Sequence, residues 1–473
     1  MPTFDVTGAA RVTGGALEGR AHERPICRVT IDSREAGDGD LFVALPGTRT
    51  DGAQFVADAL RRGALAAIVP LDAPPLPAEF ADRALIRVKY PKKALADLGA
   101  AHRRTLSCPV IAVTGSNGKS STREMIAKVL EPLGPVVQSI RSFNNDLGVP
   151  LTILRADDST RALVVEMGTS ARGEIAQLCG IARPNVGVVT NVGPAHLEGL
   201  GSEEGVALEK SALPRALPGD GFAILNAEDP RVAAMASRTT ARTMTYGIGA
   251  MSADVWGVHE RRTARGMEVW LWGKMPLFLP VSGRHNVSNA LAATAVGLLH
   301  GVKPEDIRVQ LRGVRLPSLR MQRVTFRGVT LLLDCYNANP ASLAAAVEDL
   351  ASRTPAGRRV LVVGDMLELG PRTAELHREA GRHAASRVDV LWCIGAASRE
   401  TMAGAVEAGL HPENAFWSPT VEHAMADPLV APTRGDVVLV KASRGLRLER
   451  LAETLRRVRT TVATPSAEVR KVG

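Results

Sequence analysis

Two glycines, a lysine and a serine in one short run are the residues here best equipped to handle a phosphate. In Gly115-Ser116-Asn117-Gly118-Lys119-Ser120-Ser121 the glycines let the backbone approach an anion closely. Lys119 can reach terminal phosphates, and the Ser120 hydroxyl can hold Mg²⁺. The run follows an apolar stretch, 109–113, that reads as a buried strand. It precedes 123–130, where Met125, Ile126, Val129 and Leu130 recur at helical spacing. A helix starting just after the glycines adds unpaired N–H groups and a partial positive charge. The longer P-loop pattern has a further glycine where this chain has Val113, so only the shorter form is present.

Other polar groups close predicted strands. Glu166 ends the strand 162–166, and Asn191, Gly193, His196 and Glu198 follow the strand 185–190. Strands alternating with helices imply a mainly parallel sheet, and ligands gather at the C-terminal strand ends of such sheets. The glycine loop, Glu166 and His196 all fall at such ends. Lys210 lies in a predicted helix, 204–213, where a lysine is ordinarily solvated. Asn286 and Asn289 lie in a loop running into an alanine-rich helix; they could contact a base, with helix capping the plainer role. Ser33 and Arg34 follow the strand 28–31 and could bind a diphosphate or simply form a surface turn. A last α/β region has strands at 330–334, 359–364, 390–394 and 436–440. Polar sequences follow three of them: Asp334-Cys335-Tyr336-Asn337-Ala338-Asn339-Pro340, Gly364-Asp365-Met366-Leu367-Glu368-Leu369-Gly370 and Lys441-Ala442-Ser443-Arg444. Each, alone, reads as a turn.

At 473 residues the chain is too long for one core, and about three domains are expected. The net charge of +9 raises the question of nucleic acid. The basic residues are dispersed and aromatics are only 4%, so stacking platforms are scarce and small anionic substrates account for the charge as well. No apolar run is long enough for a membrane span. The first residues lack a basic-then-apolar signal pattern. The five cysteines are scattered, so a cytoplasmic protein with reduced thiols is expected.

Taken together, these segments resemble the Mur ligases, the ATP-dependent amide-forming enzymes of peptidoglycan precursor synthesis. The resemblance runs from about Ile31 to about Arg444. It is carried by Asp32-Ser33-Arg34, the 114–122 loop, Asn144-Asn145-Asp146-Leu147-Gly148, Glu166-Met167-Gly168, Thr190–Glu198, the 283–289 segment, Tyr336–Pro340 and Gly364–Gly370. Tyr336-Asn337-Ala338-Asn339-Pro340 and Gly364-Asp365-Met366-Leu367-Glu368-Leu369-Gly370 look like the branch that adds D-alanyl-D-alanine to UDP-N-acetylmuramoyl-tripeptide. The segments typical of the diaminopimelate- or lysine-adding branch do not occur.

The resemblance implies three α/β domains: a UDP-sugar binder over 1–107, a P-loop-type ATP-binding core over 108–317 and a Rossmann-like ligase domain over 318–460 that closes as a lid. A disordered tail over 461–473 is expected from its lack of apolar period. By the same resemblance Gly115, Ser116, Asn117, Gly118, Lys119, Ser120 and Ser121 would hold ATP phosphates. Asn286 and Asn289 would lie near adenine, and Arg320 and Asp334 would meet phosphate and ribose. Ser120 and Glu166 would ligate one Mg²⁺ and His196 a second, with Lys210 carbamylated. Ser33 and Arg34 would face the UDP part; Asn144, Asn145, Asn337, Asn339, Ser443 and Arg444 would serve the rest of the substrates. The partners implied are small molecules, with no nucleic acid and a monomeric chain. Two departures stand out: Leu319 precedes Arg320 where the family usually has glycine, and a leucine is not expected to copy a positive-φ backbone, while Cys335 stands where serine is common, a near-isosteric change. Rival readings are a sibling ligase, a folylpolyglutamate synthase-like enzyme, or a nucleotide switch that hydrolyses ATP only to change shape.

Overall fold

The computed structural model describes residues 4–20, 23–47, 50–140, 143–263 and 265–457, so the tail expected at 461–473 lies outside the described residues. The chain divides into two units, Met1–Pro317 and Ser318–Gly473.

The first unit carries two α/β sheets. One has the strand order Ala16–Gly19, Ala84–Val88, Ala66–Pro70, Asp40–Val43, Arg28–Thr30, parallel except for the first. The other is nine-stranded. From one edge it runs Val136–Gln138, Ala162–Glu166, Val110–Thr114, Val186–Val189, Phe222–Asn226, Arg242–Ile248 and Val255–Thr263, all parallel. Gly266–Leu271 and Met275–Leu279 then add two antiparallel strands at the far edge. Only antiparallel neighbours can be joined by a turn as short as the one at Trp272 and Gly273, both at positive φ.

The central strands are buried on both faces, which is why they read as unbroken apolar runs. Helix Lys119–Leu130 turns Met125, Ile126, Val129 and Leu130 onto one face, beside helix Arg284–Leu299 with Val287, Ala290 and Leu291. A side chain at Gly297 would come within 2.4 Å of Val129, so the two helices meet at close range. Helix Glu174–Ala182 covers the other face with Ile175, Leu178 and Ile181. Truncating a packed residue such as Ile126 to alanine would cost about 2–5 kcal/mol.

The second unit holds a six-stranded sheet, in the order Gln322–Phe326, Val329–Leu333, Val437–Lys441, Arg359–Gly364, Val390–Ile394, Ala415–Ser418. All neighbours are parallel except the first pair.

Two expectations about local structure change. The helix foreseen at 204–213 is two helices, Glu203–Lys210 and Ala212–Arg215. Pro214 has no N–H for the carbonyl of Lys210, so the ladder stops there. Asn286 and Asn289 are not in a loop and cap nothing. Helix Arg284–Leu299 begins two residues before Asn286, its N-cap Gly283 makes no side-chain cap bond, and both asparagines are buried in the first turns.

No helix among the described residues is long and apolar enough to cross a membrane. The five cysteines are free, and burial raises the Cys179 and Cys335 thiols to about 12.

Candidate active site

Strand register brings the first unit's polar groups to one edge. Val113 lies opposite Glu166 on one side, and Thr114 opposite Val189 on the other. The glycine loop therefore leaves its strand with Glu166 on one flank and the 190–196 segment on the other. That loop is tied down by bonds the local motif does not reveal. Ser116 N donates to Asn191 O at 2.9 Å and Asn117 N to Asn191 Oδ1 at 2.8 Å. The Ser116 hydroxyl bonds Gly193 O at 3.0 Å, and the Thr190 hydroxyl donates to Asn117 O. Val192 N in turn donates to Asp229 Oδ2 at 2.7 Å.

Both loop glycines are sterically required. A Cβ on Gly115 (φ +148°) would lie 1.8 Å from Thr190 Oγ1, and one on Gly118 (φ +81°) 2.5 Å from Asn289 Oδ1. Gly118 opens helix Lys119–Leu130, whose first N–H groups face the loop. Ser120 and Ser121 are buried in its first turn. Lys119 Nζ reaches back to its own loop, donating to Gly115 O at 2.7 Å and Ser116 O at 3.4 Å. Asn289 joins this cluster from the other helix. Its Oδ1 accepts the Thr122 hydroxyl at 3.1 Å and its Nδ2 donates to Asn286 Oδ1 at 3.2 Å, the two asparagines being stacked three residues apart.

Glu166 is 1% exposed, and both its oxygens are engaged. Oε1 accepts Asn144 Nδ2 at 2.8 Å, and Oε2 faces Arg123 Nη1 at 3.4 Å. Arg123 is itself buried, a partner for Glu166 that nothing in the local sequence announces. Asn144 also accepts Gly168 N on its carbonyl at 2.8 Å. Its neighbour Asn145 is spent locally: its side chain accepts Leu147 N and Gly148 N at the start of helix Gly148–Ile153. That stretch packs Leu147 and Leu151 against the first sheet's core, which places Asn144 at the junction of the two sheets.

His196 sits in a left-handed conformation (φ +55°) and opens the short helix Leu197–Leu200. Lys210 is 1% exposed, and among the described residues no carboxylate lies within ion-pair distance of it. Burial first, and then the positive charge of Lys119, pull its pKa well below the ordinary lysine value; Glu209 pushes the other way. Glu209 positions this helix end by accepting Gly173 N at 2.6 Å and Ile175 N at 2.8 Å.

Ser33 and Arg34 occupy the turn after strand Arg28–Thr30. Ser33 is mostly buried. Arg34 is exposed, with its guanidinium on Asp32 at 2.8 and 2.6 Å, which holds the Asp32 carboxyl below its usual range.

In the second unit, Asp334, Asn337, Asn339, Ser443 and Arg444 come together past the strand ends Leu333 and Lys441. The Asp334 carboxylate takes Lys441 Nζ at 2.6 Å and Met321 N at 3.1 Å. Arg320 lies over the Tyr336 ring, 4.4 Å from its centroid. Ser443 Oγ donates to Ala338 O at 3.2 Å and accepts Leu367 N at 2.9 Å. Asn339 caps helix Pro340–Ala351 in a capping box with Ser342, Asn337 Oδ1 accepts Ala338 N, and Arg444 pairs with Glu449. Leu319 does adopt the glycine-like backbone, at φ +62°. Its N–H is taken by Gln322 Oε1 at 3.1 Å and its carbonyl by Tyr336 N at 3.2 Å, bonds that offset the roughly 1–2 kcal/mol such a conformation costs a leucine.

No group of three or more His, Cys, Asp or Glu side chains able to hold a metal occurs among the described residues. One buried carboxylate beside hydroxyls and a phosphate-type loop is nonetheless the donor set that suits Mg²⁺, which keeps waters and substrate phosphates in its shell.

A glycine loop between a parallel strand and a helix, with a carboxylate on the neighbouring strand, defines an α/β phosphate-binding protein of P-loop type. Family models match along the chain in order: the Mur ligase family catalytic domain over residues 25–103, the Mur ligase middle domain over 113–297, and the Mur ligase glutamate ligase domain over 319–444. The chain belongs to the Mur ligase family. It is 34% identical over 467 residues to the UDP-N-acetylmuramoyl-tripeptide–D-alanyl-D-alanine ligase of Bacillus subtilis, covering 95% of this chain and 98% of that one. Among solved structures, MurF from Acinetobacter baumannii matches at 29% identity with a TM-score of 0.85, covering 97% of this chain and 100% of that one. MurF ligase from Thermotoga maritima in complex with ADP matches at 28% identity with a TM-score of 0.78, covering 91% and 97%.

Proposed function

We propose that the chain is an ATP-dependent ligase that joins D-alanyl-D-alanine to UDP-N-acetylmuramoyl-tripeptide, releasing ADP and phosphate. The observation that carries this reading is the glycine loop held between Glu166 and the 190–196 segment, in a chain alike along nearly its whole length to ligases of that name.

A carboxylate is a poor acyl donor because it has no leaving group. Transfer of the ATP γ-phosphoryl to the tripeptide carboxylate would make an acyl phosphate. The amine of D-alanyl-D-alanine would then attack the carbonyl carbon, and phosphate would leave with the electrons of the broken C–O bond. Lys119 and the loop N–H groups would stabilise charge on the transferring phosphoryl group. The Lys119 ammonium, now on Gly115 O and Ser116 O, would exchange those carbonyls for phosphate oxygens. Asn286 and Asn289 are assigned to the adenine side, Arg320 and Asp334 to phosphate and ribose, and Ser33 and Arg34 to the UDP part. Asn144, Asn337, Asn339, Ser443 and Arg444 are assigned to the peptide substrates.

Ser120 and Glu166 would hold Mg²⁺, with His196 beside a second ion, and the metal would neutralise charge on the phosphates. Lys210, whose burial favours the neutral amine, is suited to capture CO₂ as a carbamate, an anion that a neighbouring cation would stabilise.

The test is a coupled assay with ATP, UDP-tripeptide and D-alanyl-D-alanine, reading phosphate release and product mass. Phosphate should appear only when both peptide halves are present, with the mass of a new amide. Phosphate release without the UDP-tripeptide, or no new amide, would sink the proposal.

A further inference from the structure

A buried lysine in the second unit touches several residues assigned to the reaction. Lys441 ends the strand Val437–Lys441, lies beside Val363 of the neighbouring strand, and is 2% exposed. Its ammonium donates to Asp334 Oδ2 at 2.6 Å, to Asn337 O at 3.1 Å and to Asp334 O at 3.4 Å. The other Asp334 oxygen accepts Met321 N. Met321 and Leu319 flank Arg320, and both stand at positive φ, 51° and 62°. Such backbone persists in bulky residues only where surrounding bonds over-determine it. The bonds here are Asp334 to Met321 N, Tyr336 N to Leu319 O, and the stacking of Arg320 on Tyr336. One chain of contacts thus runs from Lys441 through Asp334 to the backbone that aims Arg320, while a branch reaches Asn337.

We infer that Lys441 is a positioning residue: it holds the Asp334 carboxylate and, through Met321, sets the direction of Arg320. It touches no reacting atom. A lysine suits this place because its compact ammonium can serve a carboxylate and two carbonyls at once, which a planar guanidinium does not reproduce. The inference rests on the reading of the chain as an ATP-dependent ligase with Arg320 and Asp334 at the nucleotide.

The experiment is steady-state ligation by the full chain carrying Lys441→Met, Lys441→Arg, Asp334→Asn and the Lys441→Met/Asp334→Asn pair, each checked for folding by circular dichroism. Lys441→Met should lower kcat/KM for ATP by at least about tenfold while KM for the UDP-tripeptide stays within about twofold. Lys441→Arg should restore part of the loss. In the Asp334→Asn background the further effect of Lys441→Met should shrink to about twofold or less, because the two act as one unit. If Lys441→Met does not fold, Lys441→Gln, which keeps a donor without the charge, is read the same way. Unchanged kcat/KM in a folded variant, or a loss undiminished in the Asp334→Asn background, overturns the inference. A wild-type chain that forms no amide overturns the parent reading instead.

Discussion

Replacing Lys210 by methionine should strengthen the fold while stopping ligation. The lysine side chain is 1% exposed, and burial together with Lys119 disfavours its charged form. Each unit by which the folded pKa lies below the ordinary value of 10.5 withdraws about 1.4 kcal/mol from the folded state at low enough pH. Methionine keeps most of the stem's volume and carries no charge. Taking a charge out of water without an ion-pair partner costs several kcal/mol after relaxation, a cost that an apolar side chain of similar size avoids, and a gain of about 1–3 kcal/mol is expected here. The pH dependence fixes the sign. The unfolded lysine binds its proton up to about 10.5 and the folded one releases it earlier, so wild-type stability climbs with pH over that window. The methionine variant lacks this climb. Its advantage should be larger at pH 7 than at pH 9.5 and close as pH nears 10.5. Differential scanning calorimetry at pH 7 and pH 9.5, with chelator and CO₂-free buffer so that no carbamate forms, reads both quantities. A variant less stable than wild type at pH 7, or an advantage that does not shrink with pH, would refute the argument.

Three further outcomes are expected. Lys119→Ala should abolish ligation with an unchanged circular dichroism spectrum; near-normal turnover would remove the loop from the mechanism. Gly118→Ala combines a Cβ 2.5 Å from Asn289 Oδ1 with φ +81°, so about 2–4 kcal/mol of overpacking and backbone strain should fall on the loop. ADP titration calorimetry should show weakened binding, and wild-type affinity would contradict the close packing of loop and helix. His377 Nε2 accepts Met366 N at 3.0 Å, its Nδ1 faces Thr373 O at 2.8 Å, and burial lowers its pKa below 6.5. The unfolded state therefore binds the proton first, and this contribution to stability is present above about pH 6.5 and is lost as pH falls below it. Melts taken between pH 7.5 and 5.5 should show that loss, and His377→Gln, which keeps an acceptor for Met366 N, should flatten it; parallel curves for the two proteins would show that another group is responsible.

Local pattern carried much of this molecule. The glycine loop, the strand before it and the helix after it are contiguous, so spacing alone declared them. The family's segments, scattered from Asp32 to Arg444, were legible for the same reason: each is a short contiguous run, most of them just past a strand, with 144–148 and 283–289 leading into helices Gly148–Ile153 and Arg284–Leu299. What the sequence could not decide was which partner each polar group would take. Arg34 is turned onto Asp32, Asn145 onto its own helix start and Asn339 onto a capping box, whereas Asn289 is drawn into the glycine loop from 167 residues beyond Thr122. Arg123 and Lys441 are ordinary basic residues in the sequence, and only packing made them the buried partners of Glu166 and Asp334. Leu319 took the backbone that its side chain disfavours because Gln322, three residues on, binds its N–H and Tyr336, beyond the next two strands, binds its carbonyl. Propensity and spacing act over a few residues along the chain. Charge pairing, burial and hydrogen-bond satisfaction depend on neighbours in space, and those exist only once the strands have found their order.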